Sequence, residues 1–137
     1  MATAPDTDLR THLIANVGTC TSSNTFAGGK RATDANAGVP EQAVFCLATG
    51  GAPPEADIDN GADGEWRFSG VQITIRSNPH EFEGGQTLAR AIRDALHHSP
   101  PSGYVEAEAQ ESEPLYLGME DNGNHVWTVN VMLRHRQ

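Results

Sequence analysis

Between Trp66 and Leu96 the hydrophobic period of the chain changes from two to 3.6 across a short polar turn. In Val71-Gln72-Ile73-Thr74-Ile75-Arg76 apolar and polar residues alternate, with β-branched side chains on both faces, as a strand requires. From Thr87 to His98 the apolar positions are Leu88, Ala91, Ile92, Ala95 and Leu96. They form one stripe of a helix, with Arg90, Arg93, Asp94 and His97 outside it. A strand followed by an amphipathic helix needs a second layer to cover each apolar face, which restricts the chain to a small α+β domain.

The flanking residues extend that pattern. Leu9, Leu13, Ile14 and Val17 predict a first helix over Asp6–Val17, with Thr3 as its cap, Pro5 in its first turn and Gly18 as its stop. Residues 19–40 are polar, Gly-rich and aperiodic, and read as a long loop. Ala43–Ala48 is a short apolar run that predicts a buried strand. Residues 50–64, rich in Pro, Gly and Asp, read as an acidic connection. In the next strand, Trp66 to Ser77, the apolar parity switches from even (Trp66, Phe68) to odd (Val71, Ile73, Ile75), which predicts a bulge at Ser69-Gly70. Asn78-Pro79 and Gly84-Gly85 bracket the turn into the second helix, which Ser99-Pro100-Pro101 ends.

The remainder reads as a meander. Tyr104–Gln110 carries Val105, Ala107 and Ala109 on one side, Leu115-Tyr116-Leu117 is a shorter strand, and Asn122-Gly123 predicts a type I′ hairpin. In the last strand, His125–Arg134, Trp127, Val129, Val131 and Leu133 face one way. The expectation is a single domain over residues 1–137. It has one mixed or antiparallel sheet of about four main strands, with both helices packed on one face and long polar loops between. Thr74, Val126 and Met132 lie on the other face, left for solvent or a partner.

Composition limits the partners. With 18 acidic against 9 basic residues, the net charge is −9, which argues against gripping nucleic acid through its phosphates. An apolar share of 37% is low for a self-sufficient globule, so neighbouring chains are expected to finish part of the surface. No apolar window approaches a membrane span, and Met1-Ala2-Thr3-Ala4-Pro5 has no secretory pattern. A cytosolic site of synthesis follows, in which Cys20 and Cys46 are expected as free thiols.

No motif nominates a catalyst. His97-His98 are adjacent on a helix and diverge by about 100°, so they do not converge on one ion. His80-Glu81-Phe82-Glu83 holds the His-x-Glu of zinc deaminases without their Pro-Cys-x-x-Cys partner. Read as a calcium loop from Asp57, the acidic segment has Gly61 and Ala62 where a ligand and a glycine are required. Gly28-Gly29-Lys30-Arg31 is too short for a phosphate loop. No metal, no cofactor and no catalytic residue is expected. Trp66, Phe68, Tyr104 and Trp127 lie on strand phases that suit a core, whereas Phe82 and Tyr116 sit at turns, where exposed rings anchor partners.

The run Val71-Gln72-Ile73-Thr74-Ile75-Arg76-Ser77, the helix with Ala89, Ile92 and Leu96, and Leu115-Tyr116-Leu117-Gly118 before an Asp-rich turn and a closing strand together resemble the tail terminator (minor capsid) proteins of long-tailed bacteriophages. The resemblance covers about the last two-thirds of the chain and the first helix in outline. It implies a non-enzymatic virion protein at the head–tail junction, assembled in the host cytoplasm. Its implied partners are its own copies in a homohexameric ring, the tail tube protein and the head connector, with genomic DNA passing through unbound. By position, Arg76, Glu81, Phe82, Glu83 and Tyr116 are the candidate contacts between subunits or with partners. The alternatives are a head-closure or neck protein and, from another class, a small monomeric enzyme or ligand-binding domain.

Overall fold

The computed structural model describes residues 4–28, 39–56 and 65–136. The described residues form two helices, α1 (Pro5–Asn16) and α2 (Phe82–Leu96). The strands are β1 (Thr25–Ala27), β2 (Ala43–Ala48), β3 (Ala52–Ala56), β4 (Glu65–Pro79), β5 (Glu106–Ala109), β6 (Leu115–Met119) and β7 (Asn124–Arg136). All seven join one mixed sheet in the order β1-β2-β4-β7-β5, with β3 beside β4 and β6 beside β7. Among the described residues only β1 and β2 pair in parallel; every other pair is antiparallel. The α+β class agrees with the sequence reading, and the strand count exceeds it.

The two extra strands lie inside predicted loops. β1 falls in 19–40 and β3 in 50–64. Each forms because a longer neighbour leaves ladder groups open: β2 pairs with β4 only over Val71–Arg76, and β3 takes the Glu65–Phe68 half of the same edge. The calcium-like loop from Asp57, the Thr3 cap and the Gly29-Lys30-Arg31 part of the glycine motif lie outside the described residues.

The β4–β7 ladder is the spine of the sheet, running in register from Trp66↔Arg136 to Arg76↔Val126. No bulge interrupts it at Ser69-Gly70; the irregularity lies between Arg76 and Pro79. The apparent switch of parity has another cause, since both faces carry apolar groups. Val71, Ile73 and Ile75 point to the helices and are buried, whereas Trp66 and Phe68 lie half-buried on the opposite face. There Arg134 and Arg136 cover the Trp66 indole, their guanidinium carbons 4.9 and 5.2 Å from its centroid.

Both helices pack on one sheet face. Leu9 and Leu13 of α1 and Leu88, Ala89, Ile92 and Leu96 of α2 close one core with Val44, Cys46, Ile73, Ile75, Trp127, Val129, Val131 and Leu133. Each fully buried aliphatic side chain here contributes about 1.5–3 kcal/mol of transfer free energy. Cys20 and Cys46 are buried free thiols in this core. Burial, followed by the nearby Cys20, pushes the Cys46 thiol up to about 12. β2 reads as a continuous apolar run because it is covered twice: Val44 and Cys46 face the core, and Phe45 stacks on Phe26 on the other side at 5.6 Å.

Three local expectations are corrected. α2 starts at Phe82, inside the predicted turn, and takes Gly84-Gly85 into its first turns because Gly85 fits directly against Trp127. The hairpin of Asn122-Gly123 is not type I′: Asn122 is not at positive φ, whereas Gly123 is, at 93°. Gly123 N–H donates to Glu120 O, and Glu120 N–H to Asn124 O, giving a loop closed by a glycine bulge. In the Tyr104–Gln110 stretch Val105 is exposed, and Tyr104 occupies the buried position instead.

Candidate assembly surface

The candidate contacts separate into two environments. Phe82, Glu83 and Tyr116 gather where α2 begins and β6 runs alongside β7, with Glu81 at the α2 N-cap position. The Phe82 ring stands edge-on to Tyr116 at 5.3 Å and to His125 at 5.2 Å, and lies tilted over Trp127 at 5.3 Å. The Tyr116 hydroxyl shares a 2.7 Å hydrogen bond with His125 Nδ1. Trp127 is buried beneath, while Phe82 and Tyr116 remain exposed, so the pair forms a lid with an open outer surface. Glu81 and Glu83 are exposed beside it.

Arg76 is in a different setting. It lies on the open face of the sheet and is only 6% exposed. Its Nε donates to Glu41 O at 2.8 Å and its terminal nitrogen to Pro40 O at 2.6 Å. The nearby Asn124 amide donates to Glu41 Oε2 and to Ser77 O, at 2.9 and 2.7 Å. Ser77 Oγ accepts from His125 N–H at 3.0 Å. Together these bonds fix the irregular end of β4 and fasten the entry of β2 to it. Within a protomer Arg76 is thus a fastening group, and its distance from the Phe82–Tyr116 lid was not legible from the sequence.

The strongest surface feature is β6. Leu115, Tyr116, Leu117 and Met119 are all large, apolar and exposed, with Leu117 and Met119 each at 60%. A bulge between Tyr116 and Gly118 re-aims the strand. Among the described residues no strand or cap covers its outer edge, whereas the other edges are guarded. β3 carries Pro53-Pro54. His98 N–H donates to Ala107 O, and Ala109 N–H to His97 Nδ1, closing β5. Arg10 Nε donates to Thr25 O of β1. An unguarded apolar edge is a template for another chain. Against it, on the open sheet face, lies a groove of about 340 Å³ lined by Thr74, Arg76, Leu117, Met119 and Val126.

Among the described residues no three His, Cys, Asp or Glu side chains stand together as a metal site. His97 accepts a backbone bond, and His80 packs its ring on Gly123. No described helix is long and apolar enough to cross a membrane. The sequence reading missed the Trp66–Arg134–Arg136 cluster at the far end of the spine. Arg134 and Arg136 share a strand parity, but their position over Trp66 depends on a pairing 70 residues apart, Trp66↔Arg136.

No family model matches the chain, and no curated protein matches it. Among solved structures it is similar to a chain of the virion of a native gene transfer agent particle. That likeness has a TM-score of 0.56 at 16% identity and covers 91% of this chain and 84% of the other. At this identity the fold is what the two chains share.

Proposed function

We propose that this chain is a structural protein of a phage-like virion, acting as a tail terminator. In this reading copies form a ring that caps the tail tube, stops its polymerisation and offers the head connector a docking face. The observation that carries the reading is a fold shared over nearly the full chain with a component of a gene transfer agent virion. The sequence resemblance to tail terminators supports it independently, as does the open apolar β6 edge, which suits a subunit completed by its neighbours. A net charge of −9 suits a conduit through which DNA passes without being held.

The test is assembly with tail tube protein, read by light scattering and electron microscopy. A terminator forms rings of about six copies, as the family resemblance implies, and adding it at substoichiometric amounts arrests tube growth with one ring at the end. Tubes that elongate regardless overturn the reading. Binding to capsids rather than tubes places the chain at the neck, and a monomer that turns over a small substrate removes both assignments.

A further inference from the structure

We propose that His97 is a proton-operated latch on the outer edge of β5: as a neutral ring it holds the edge shut, and on protonation it lets go. The latch belongs to the single protomer and does not depend on the ring reading.

The hydrogen bonds of the strand show which groups need covering. Val105 N–H donates to Arg134 O and Gln110 N–H to Asn130 O, so these amides face β7. Ala107 and Ala109 bond on the other side. Ala107 N–H donates to Glu106 Oε1 at 2.9 Å, and Ala107 O accepts from His98 N–H at 2.8 Å. Ala109 N–H donates to His97 Nδ1 at 3.1 Å. Backbone groups that would otherwise invite a further strand are thus occupied from within the chain.

The two histidines reach this edge because the helix stops before them. Adjacent residues on a continuing helix diverge by about 100°. Here α2 ends at Leu96, His97 is extended at φ −66° and ψ 119°, and His98 is left-handed at φ 60°. The rings therefore come together, with centroids 3.8 Å apart and planes tilted by 42°. A left-handed residue that carries a Cβ is strained, and the bond from His98 N–H to Ala107 O holds it there.

The two rings answer a proton in opposite ways. His97 Nδ1 accepts from a backbone N–H, so the ring is neutral with its own proton on Nε2. A proton added at Nδ1 removes the acceptor and sets one N–H against another. His98 Nδ1 faces Glu106 Oε1 at 3.3 Å, so a charged His98 keeps its partner. The His98 bond, then Ala107 N–H, hold Glu106 below the usual carboxylate range, and it stays ionised while imidazoles titrate. Two charged rings 3.8 Å apart also repel, which favours release of His97.

The other charged or titratable groups on the elements packed around the pair are few. Arg93 and Asp94 of α2 pair with each other at 3.3 Å, and Arg134 of β7 lies opposite Glu106. Glu108 follows on β5, and His12 of α1 lies near the Ala95 and Ser99 carbonyls. Among the described residues no carboxylate is paired with the His97 ring.

The test is amide hydrogen exchange of the full chain by NMR, corrected for the intrinsic pH dependence of exchange. It runs between about pH 8 and about pH 5, the span over which imidazoles change charge. Protection of Ala109 N–H is compared with that of Ala107 and Gln110 in the same strand, and the His97 ring protons are followed alongside. On acidification the ratio of Ala109 to Gln110 protection is expected to fall by at least about tenfold as His97 titrates, while Ala107 keeps pace with Gln110. In His97→Asn, whose side-chain oxygen replaces Nδ1 as acceptor without titrating, the ratio is expected to stay constant. In His97→Phe, which has no acceptor, it is expected to be low at both ends of the range. The latch is overturned by a constant wild-type ratio, by a His97 ring that stays neutral throughout, or by Ala107, Ala109 and Gln110 losing protection together, which is melting of the strand. It is equally overturned by a His97→Asn chain that loses Ala109 protection as the wild type does, or by a His97→Phe chain that retains it. The wild-type measurement needs no substitution and decides the matter if either variant fails to fold.

Discussion

Gly85 of α2 lies flush against the Trp127 indole of β7: a Cβ placed on it would come within 2.4 Å of Trp127 Cζ3 and 2.7 Å of Ser77 Cβ. The helix therefore crosses the sheet at a distance that only glycine permits. Gly85→Ala gains about 1 kcal/mol of helix propensity. It also forces the indole or the helix to move, at a cost of about 1–3 kcal/mol. The expected net effect is a loss of up to about 2 kcal/mol in urea unfolding, partly recovered by adding Trp127→Phe, whose smaller ring leaves room.

Tyr104 ties the approach to β5 to α1, its hydroxyl donating to Asp8 Oδ2 at 2.8 Å. Burial, then that bond to a carboxylate, raise the phenol above its ordinary value of 10.0. A raised folded-state pKa stabilises fully below the unfolded value and is lost as pH climbs past it. Stability is expected to fall above about pH 10, where Tyr104 must ionise in the unfolded but not the folded chain. Tyr104→Phe should cost about 1.5 kcal/mol at neutral pH by chemical denaturation. It should also flatten the alkaline decline.

His135 gives the opposite pH dependence. Its Nε2 meets Ser69 Oγ at 3.1 Å, its ring stands edge-on to Tyr104, and its Nδ1 is buried without a partner among the described residues. Burial, then the positive Arg67, lower its pKa below 6.5 against the pull of Asp8. A depressed folded-state value stabilises above the unfolded pKa and is lost as pH falls through the folded one. Stability is expected to fall below about pH 6.5, with burial of His12 acting in the same direction. His135→Gln should make the decline shallower, and proton resonances should show the His135 ring titrating below 6.5.

Arg76 makes the fold and assembly readings separable. Its bonds to Pro40 O and Glu41 O are charge-assisted and largely screened from solvent. Arg76→Met should destabilise the protomer by about 2–3 kcal/mol in unfolding experiments. Charge reversal at Arg76 should weaken the ring in light scattering and lower the melting temperature together. By contrast, Tyr116→Ser should weaken assembly with a smaller loss of melting temperature than Arg76→Met, because half of its ring already faces water.

The parts of the fold legible in the sequence are those where one face is buried and the other wet. β7 shows this in Trp127, Val129, Val131 and Leu133, and α2 in Leu88, Ile92 and Leu96. β1 and β3 carry no such pattern. β3 is Ala-Pro-Pro-Glu-Ala, exposed throughout, and exists because β4 outruns β2 and leaves an edge to fill. Trp66 and Phe68 imitated a bulge because the sheet has apolar side chains on both faces, which periodicity alone cannot assign. Phe82 and Tyr116 were separately legible as turn-proximal rings. Their meeting was not, since it depends on β6 folding back along β7 beside the first turn of α2.

The spine of the sheet also orders events in time. β7 is synthesised after the other six strands of this sheet, yet it pairs with β4, β5 and β6, and Trp127 fills the middle of the core. Until Asn124–Arg136 has left the ribosome, β4 has no partner on that side, and both helices rest on half a sheet. Folding therefore waits for release of this segment, and a nascent chain stalled before it is the form most exposed to proteases and chaperones.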